Sequence, residues 1–231
     1  MPARRPPEAL RIDYSREVHG VTLEDPYHWL KDPGYPDVTD TRVLDYLKAE
    51  NDWFDLKMAP YQNLIGSLFE EIKGRQPEAD ESVPYREGAF LYRWRFEPGS
   101  QYRLWERAPV SRPDQWQLLL DEPALAEGRD YFSLGGLSVS RDGRYLAWSA
   151  DVDGSERYTL SITDLKTGTL LDEPIGNTLD APVWAADSLH FFYLELSENW
   201  RPYRVRLHRL GTPRANDPVI YEEQDESYFV H

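Results

Sequence analysis

The sequence predicts a mainly β protein: a partial β-propeller of about three four-stranded blades, preceded by an N-terminal α-helical arm. Two observations carry this expectation, a strand module that recurs three times and, within an N-terminal arm of residues 1–75, a switch to helical spacing from about Thr39. The composition agrees, with eight Trp and fifteen Tyr among 231 residues, since aromatic side chains suit a pleated surface.

Residues 1–38 are rich in Pro and Asp and read as an irregular arm, with Asp25-Pro26 and Asp32-Pro33 each favouring a turn. From Thr39 to Met58 the spacing becomes helical, placing Val43, Leu44, Leu47, Phe54 and Met58 near one face. Asp37 or Thr39 is the expected cap. Pro60 ends this helix and suits the first turn of the next. In that second helix Leu64, Ile65, Leu68, Phe69 and Ile72 share a face, and Gly74 stands where a left-handed C-terminal cap is expected. Burying five such side chains is worth roughly 8–15 kcal/mol at most, comparable to the net stability of a domain. The face therefore calls for a covering body.

The repeats occupy residues 76–231, as blades at about 82–121, 137–173 and 181–223 and the start of a fourth at 227–231. Each opens on a turn: Glu87-Gly88, Asp142-Gly143 and Asp187-Ser188. An apolar strand follows, then a second strand introduced by Tyr102, Tyr158 or Tyr203. Each copy closes on an apolar run ending in an acid, Asp121, Asp172 and Glu222, which are 51 and then 50 positions apart. Four-stranded units at such a period are the signature of propeller blades.

The net charge of −15 disfavours non-specific nucleic-acid binding, which depends on protein cations. The same charge would attract basic peptides, although solubility alone explains it. Without cysteine there is no disulfide framework or thiolate metal site. The basic start Met1–Pro7 leads into no apolar segment, and no apolar run reaches the roughly 20 residues of a membrane helix. A cytoplasmic protein without membrane or nucleic-acid partners is the expectation.

Residues that could carry chemistry weaken on inspection, and no catalytic, cofactor-binding or metal residue is expected. Gly136-Leu137-Ser138-Val139-Ser140 approaches the Gly-x-Ser-x-Gly elbow, but its last position is Ser and it falls in the first strand of blade two, with no helix following. His28 lies near Glu24, Asp25 and Asp32 without an evident nucleophile, so it reads as a packing residue. The segment Asp151-Val152-Asp153-Gly154-Ser155-Glu156 lacks the twelve-residue calcium pattern and reads as a hairpin loop. The five histidines form no HExxH motif or close pair. Arg93, Arg95, Arg103 and Arg107 alternate along two strands of blade one. They line a channel, an inter-domain surface or, most simply, a solvated face.

Two segments carry a family resemblance: Glu24-Asp25-Pro26-Tyr27-His28-Trp29-Leu30-Lys31-Asp32 and Val43-Leu44-Asp45-Tyr46-Leu47-Lys48-Ala49-Glu50-Asn51. The chain resembles the N-terminal part of the prolyl oligopeptidase family of serine peptidases. By Phe96-Glu97-Pro98-Gly99, Tyr131–Leu137, and Gly211-Thr212-Pro213 leading to Tyr221-Glu222-Glu223, it most resembles the oligopeptidase B branch. The resemblance implies a seven-bladed-type propeller over an α/β-hydrolase domain, with the helical arm packed on that domain. It implies a catalytic Ser, Asp and His in the hydrolase portion, a propeller that admits short peptides, and cleavage after Arg or Lys. No residue of the chain matches the triad, so the 231 residues are expected to be inactive alone and to act with a hydrolase domain. The rival expectation is a stand-alone, non-catalytic binding or scaffold module that closes its open sheet edges by pairing with other copies.

Overall fold

The computed structural model describes residues 5–35 and 37–231, in two compact units, Met1–Gln76 and Pro77–His231. The arm expected to be irregular contains a hairpin, β1 (Ser15–Val18) paired with β2 (Val21–Glu24). Its turn residues His19 and Gly20 both take positive φ, 51° and 77°, as a tight two-residue hairpin requires. A His-Gly pair carries that signal more weakly than Asn-Gly, and four-residue strands offer little periodicity.

Two helices follow, α1 (Thr41–Met58) and α2 (Gln62–Lys73), joined by a short 3-10 turn containing Pro60. The cap of α1 is Asp40, not Asp37 or Thr39: its carboxylate accepts the Arg42 amide at 2.9 Å. Asp32 decides this. Its buried carboxylate accepts the amides of Gly34 (2.7 Å), Thr39 (2.9 Å) and Asp40 (2.9 Å), folding the approach to the helix around one side chain. Those bonds, the Asp40 amide first, hold Asp32 below the usual carboxylate range. Gly74 is right-handed (φ −66°) rather than left-handed, because the chain tapers through further turns in which Arg75 and Gln76 donate to Ile72 and Lys73.

The second unit is a partial propeller of three four-stranded antiparallel blades. Blade one runs β3 (Tyr85–Glu87), β4 (Phe90–Phe96), β5 (Arg103–Pro109) and β6 (Gln117–Asp121), and leads into the short helix α3 (Glu122–Ala126). Blade two runs β7 (Ser133–Val139), β8 (Tyr145–Asp151), β9 (Tyr158–Asp164) and β10 (Thr169–Thr178). Blade three runs β11 (Val183–Trp184), β12 (His190–Leu196), β13 (Pro202–Arg209) and β14 (Val219–Glu222). One pair, Thr178 opposite Glu195, joins β10 to β12, so blades two and three form a continuous sheet.

Blade two is wider than the expected 137–173 at both ends. β7 begins before Gly135-Gly136, which local propensity treats as a break, and β10 continues past irregularities between Leu171 and Thr178. The segment 227–231, expected to open a fourth blade, forms no strand; Tyr228 and Val230 donate to Asp225 and Pro202. A strand needs backbone partners along its length, and among the described residues this segment makes only these two backbone–backbone bonds.

The blades pack face to face. Tyr145, Ala147, Leu160, Ile162 and Ile175 of blade two meet Phe191 and Tyr193 of blade three. Tyr92, Leu119 and Leu120 of blade one meet Leu146 of blade two. The aromatic positions of the repeat thus fill space between blades. The repeating turns make the joints: Gly88, Gly143 and Ser188 all have positive φ. Arg107 of blade one donates to the Gly143 carbonyl (2.5 Å) while stacking over Phe90, and the Asp142 amide donates to the Ser188 hydroxyl (3.0 Å) of blade three.

Candidate functional site

A continuous apolar face left uncovered lies on α2. Leu64, Ile65, Leu68, Phe69 and Ile72 recur at the helical period and remain between 39 and 61% exposed. On α1 only Val43 is buried among the described residues, while Leu44, Leu47, Phe54 and Leu56 are exposed. The polar positions of α1 are tied locally, Tyr46 donating to Glu50 (2.6 Å) and Lys48 pairing with Asp52 (3.3 Å). Such an apolar face marks a docking surface more than a catalytic one.

The residues weighed from sequence fall apart as a catalytic set. Ser138 sits in β7 opposite Ala147, and its carbonyl accepts the Trp184 indole (3.0 Å). The glycine before it is there for space: a Cβ on Gly136 would lie 2.7 Å from the Ala181 Cβ. His28 stacks flat on Tyr14, ring centroids 3.7 Å apart, with its Nδ1 3.6 Å from Asp25. Asp151, almost wholly buried, accepts the amides of Asp153 (3.0 Å), Gly154 (3.0 Å) and Glu156 (2.8 Å), so its oxygens hold the hairpin loop closed. No group of acids and histidines among the described residues is arranged to hold a metal ion.

The arginines of blade one correct the simplest expectation, a solvated face. The register sets Arg93 opposite Glu106, and Arg93 and Arg95 converge on that carboxylate at 2.9 and 3.1 Å. Arg107 is buried in the joint with blade two, and only Arg103 stays exposed, stacked over Trp94 with its carbon 4.7 Å from the ring centre. Pleat periodicity identified the shared faces but not the acid that draws the guanidinium groups inward.

Sequence reading missed a second polar centre. His208 is buried in blade three, its Nδ1 2.9 Å from Asp217, which also accepts the Tyr193 hydroxyl at 2.9 Å. Burial first, then the Asp217 carboxylate, push the Tyr193 phenol up. His208 Nε2 has no hydrogen-bond partner and faces Asp172 of blade two at 3.6 Å. A His–Asp pair resembles part of a catalytic relay, but no hydroxyl or thiol meets the free nitrogen. Its role is to tie strands together. In the sequence Asp172 stands out as the acid that closes a repeat; in the structure it adopts φ +57° and accepts the Gly211 amide.

The geometry agrees with the comparisons. Residues 6–231 match the family model described as prolyl oligopeptidase, N-terminal beta-propeller domain. A dipeptidyl aminopeptidase BI of Pseudoxanthomonas mexicana is 35% identical over 99% of the chain and 33% of its own length. Protease 2 of Moraxella lacunata is 33% identical over 96% of the chain and 32% of its own length. Among solved structures, oligopeptidase B from Leishmania major superposes with a TM-score of 0.81 at 24% identity, and oligopeptidase B from Trypanosoma brucei with covalently bound antipain at 0.79 and 26%. Each match covers 96% of the chain and 33% of the other. The chain thus spans about a third of the length of the relatives it matches.

Proposed function

The chain belongs to the prolyl oligopeptidase family of serine peptidases, as an oligopeptidase B-like N-terminal portion, and from that premise we propose that its propeller gates the entry of short peptides while its helical arm anchors an α/β-hydrolase domain that cleaves them. The exposed apolar face of α2 is the observation that carries the anchoring role, since a face of that size on a family member whose relatives are three times longer needs a partner body. The catalytic Ser, Asp and His belong to that domain. The acidic surface favours basic peptides, in keeping with cleavage after Arg or Lys.

A panel of chromogenic peptides tests the proposal on the intact protein. N-blocked substrates ending in Arg or Lys should be cleaved faster than those ending in Pro; preference for Pro would overturn the basic specificity. The name of the Pseudoxanthomonas relative supports a second reading, removal of dipeptides from free N-termini, which a matched unblocked substrate distinguishes. Ser138→Ala should leave kcat/KM within about twofold of the parent, because Ser138 has no base beside it.

A further inference from the structure

Between blades one and two lies a cleft of about 560 Å³, lined by Phe96, Tyr102, Arg103, Trp105, Glu122 and Phe132, among others. Glu122 is the anomaly in it. Its residue is only 6% exposed, yet no Lys, Arg or His of the described residues pairs with its carboxylate. One oxygen accepts the Trp105 indole N–H at 2.6 Å. That neutral donor orients the side chain without cancelling its charge. Buried carboxylates are ordinarily paired, and this one lines a space bounded by aromatic rings. Tyr102 and Phe132 meet edge to face there, 5.6 Å between centroids. Arg103, the one arginine of blade one's series whose side chain makes no hydrogen bond among the described residues, stands exposed at the same cleft.

We propose that this cleft binds a cationic side chain of a peptide. The head group pairs with Glu122, its stem lies against the aromatic walls, and Arg103 at the rim donates to peptide carbonyl oxygens. A buried carboxylate beside aromatic faces is the combination that recognises a guanidinium, through a charge-assisted bond and stacking together. The Arg103 guanidinium does not serve as the internal partner, because it is engaged over the Trp94, Phe96 and Trp105 rings, at 4.7, 5.6 and 6.0 Å, which leaves Tyr102 and Phe132 as the walls for the ligand stem. The cleft would thus hold an incoming basic peptide on the propeller, away from the bond that is cut. The identity of the ligand as a peptide rests on the peptidase reading; the binding itself does not, so the test reads binding alone.

The probe is butylguanidinium, with butylurea as its uncharged isostere, added to the intact protein labelled with 15N-tryptophan. The readout is the Trp105 indole resonance, assigned by its disappearance in Trp105→Phe. Saturable movement with butylguanidinium and none with butylurea is expected, and Glu122→Gln, which keeps an acceptor for the indole, should weaken binding at least tenfold. Arg103→Met leaves Glu122 in place and removes a neighbouring like charge, so it should bind as tightly or more tightly. Equal response to butylurea, an unmoved Trp105 resonance despite binding elsewhere, undiminished binding by Glu122→Gln, or weakening by Arg103→Met would each overturn the assignment. Loss of cleavage with this binding intact would count only against the peptidase reading.

Discussion

Leu68→Asp on α2 is the most direct probe of the helical arm. Leu68 keeps 48% of its surface exposed, so about half of the 1.5–3 kcal/mol available from a buried leucine remains to be gained on docking, about 1 kcal/mol. Across the five side chains, all between 39 and 61% exposed, the same reasoning gives about 4–8 kcal/mol. An aspartate placed there forfeits the leucine contact and also carries an unpaired charge into an apolar junction, a further penalty of several kcal/mol. The intact protein should therefore lose at least about 3 kcal/mol. The matched control is Ser67→Asp, on an exposed neighbouring position of the same helix, which adds the same charge and should change stability by no more than about 0.5 kcal/mol. Urea denaturation of both variants, followed by tryptophan fluorescence, measures the difference. If the two midpoints coincide, the α2 face covers nothing and the anchoring argument fails.

Two further outcomes follow from the propeller. Gly136→Ala places a methyl group 2.7 Å from the Ala181 Cβ and 3.1 Å from its backbone nitrogen, atoms that cannot swing aside, so overpacking should cost about 1–3 kcal/mol and lower Tm by roughly 2–12 °C; calorimetry showing an unchanged or higher Tm would contradict the close approach. Asp187 is lowered from 3.8 to about 2, first by the Leu189 amide and then by the His190 side chain. Because the folded-state carboxyl is the stronger acid, its contribution is fully present above about pH 4 and fades as pH falls through about 2. The Leu189 amide resonance should titrate with a midpoint near 2, and a midpoint near 4 would show that the turn bonds are absent.

Much of the architecture was legible because its determinants are local. A turn residue that tolerates positive φ, an alternating strand and a closing acid recur in each blade, and each depends on neighbours within a few positions. The α2 face was legible for the same reason, since helical spacing alone places its five side chains together. The closing acids show where this ends: Asp121 caps α3 through the Ala124 amide, Asp172 accepts Gly211, and Glu222 pairs with Arg204. Equivalent positions in the repeat do three different things, because the chain that follows each differs. The cap of α1 was misplaced for a related reason, as Asp32 had already claimed the Thr39 amide.

By itself, then, the sequence determined a repeated β unit, a helical arm with an unsatisfied apolar face, and the want of a nucleophile elbow within these 231 residues. Tertiary structure decided which charges are hidden. Glu106 gathers two arginines, His208 faces Asp172 across a blade boundary, and Glu122 is left beside aromatic rings without a cation. Such contacts join residues from different strands and blades, and their geometry depends on sheet twist, bulges and the stacking of one blade on the next. No periodicity along the chain records those quantities, so the apolar face of α2 could be read directly and the inter-blade cleft could not.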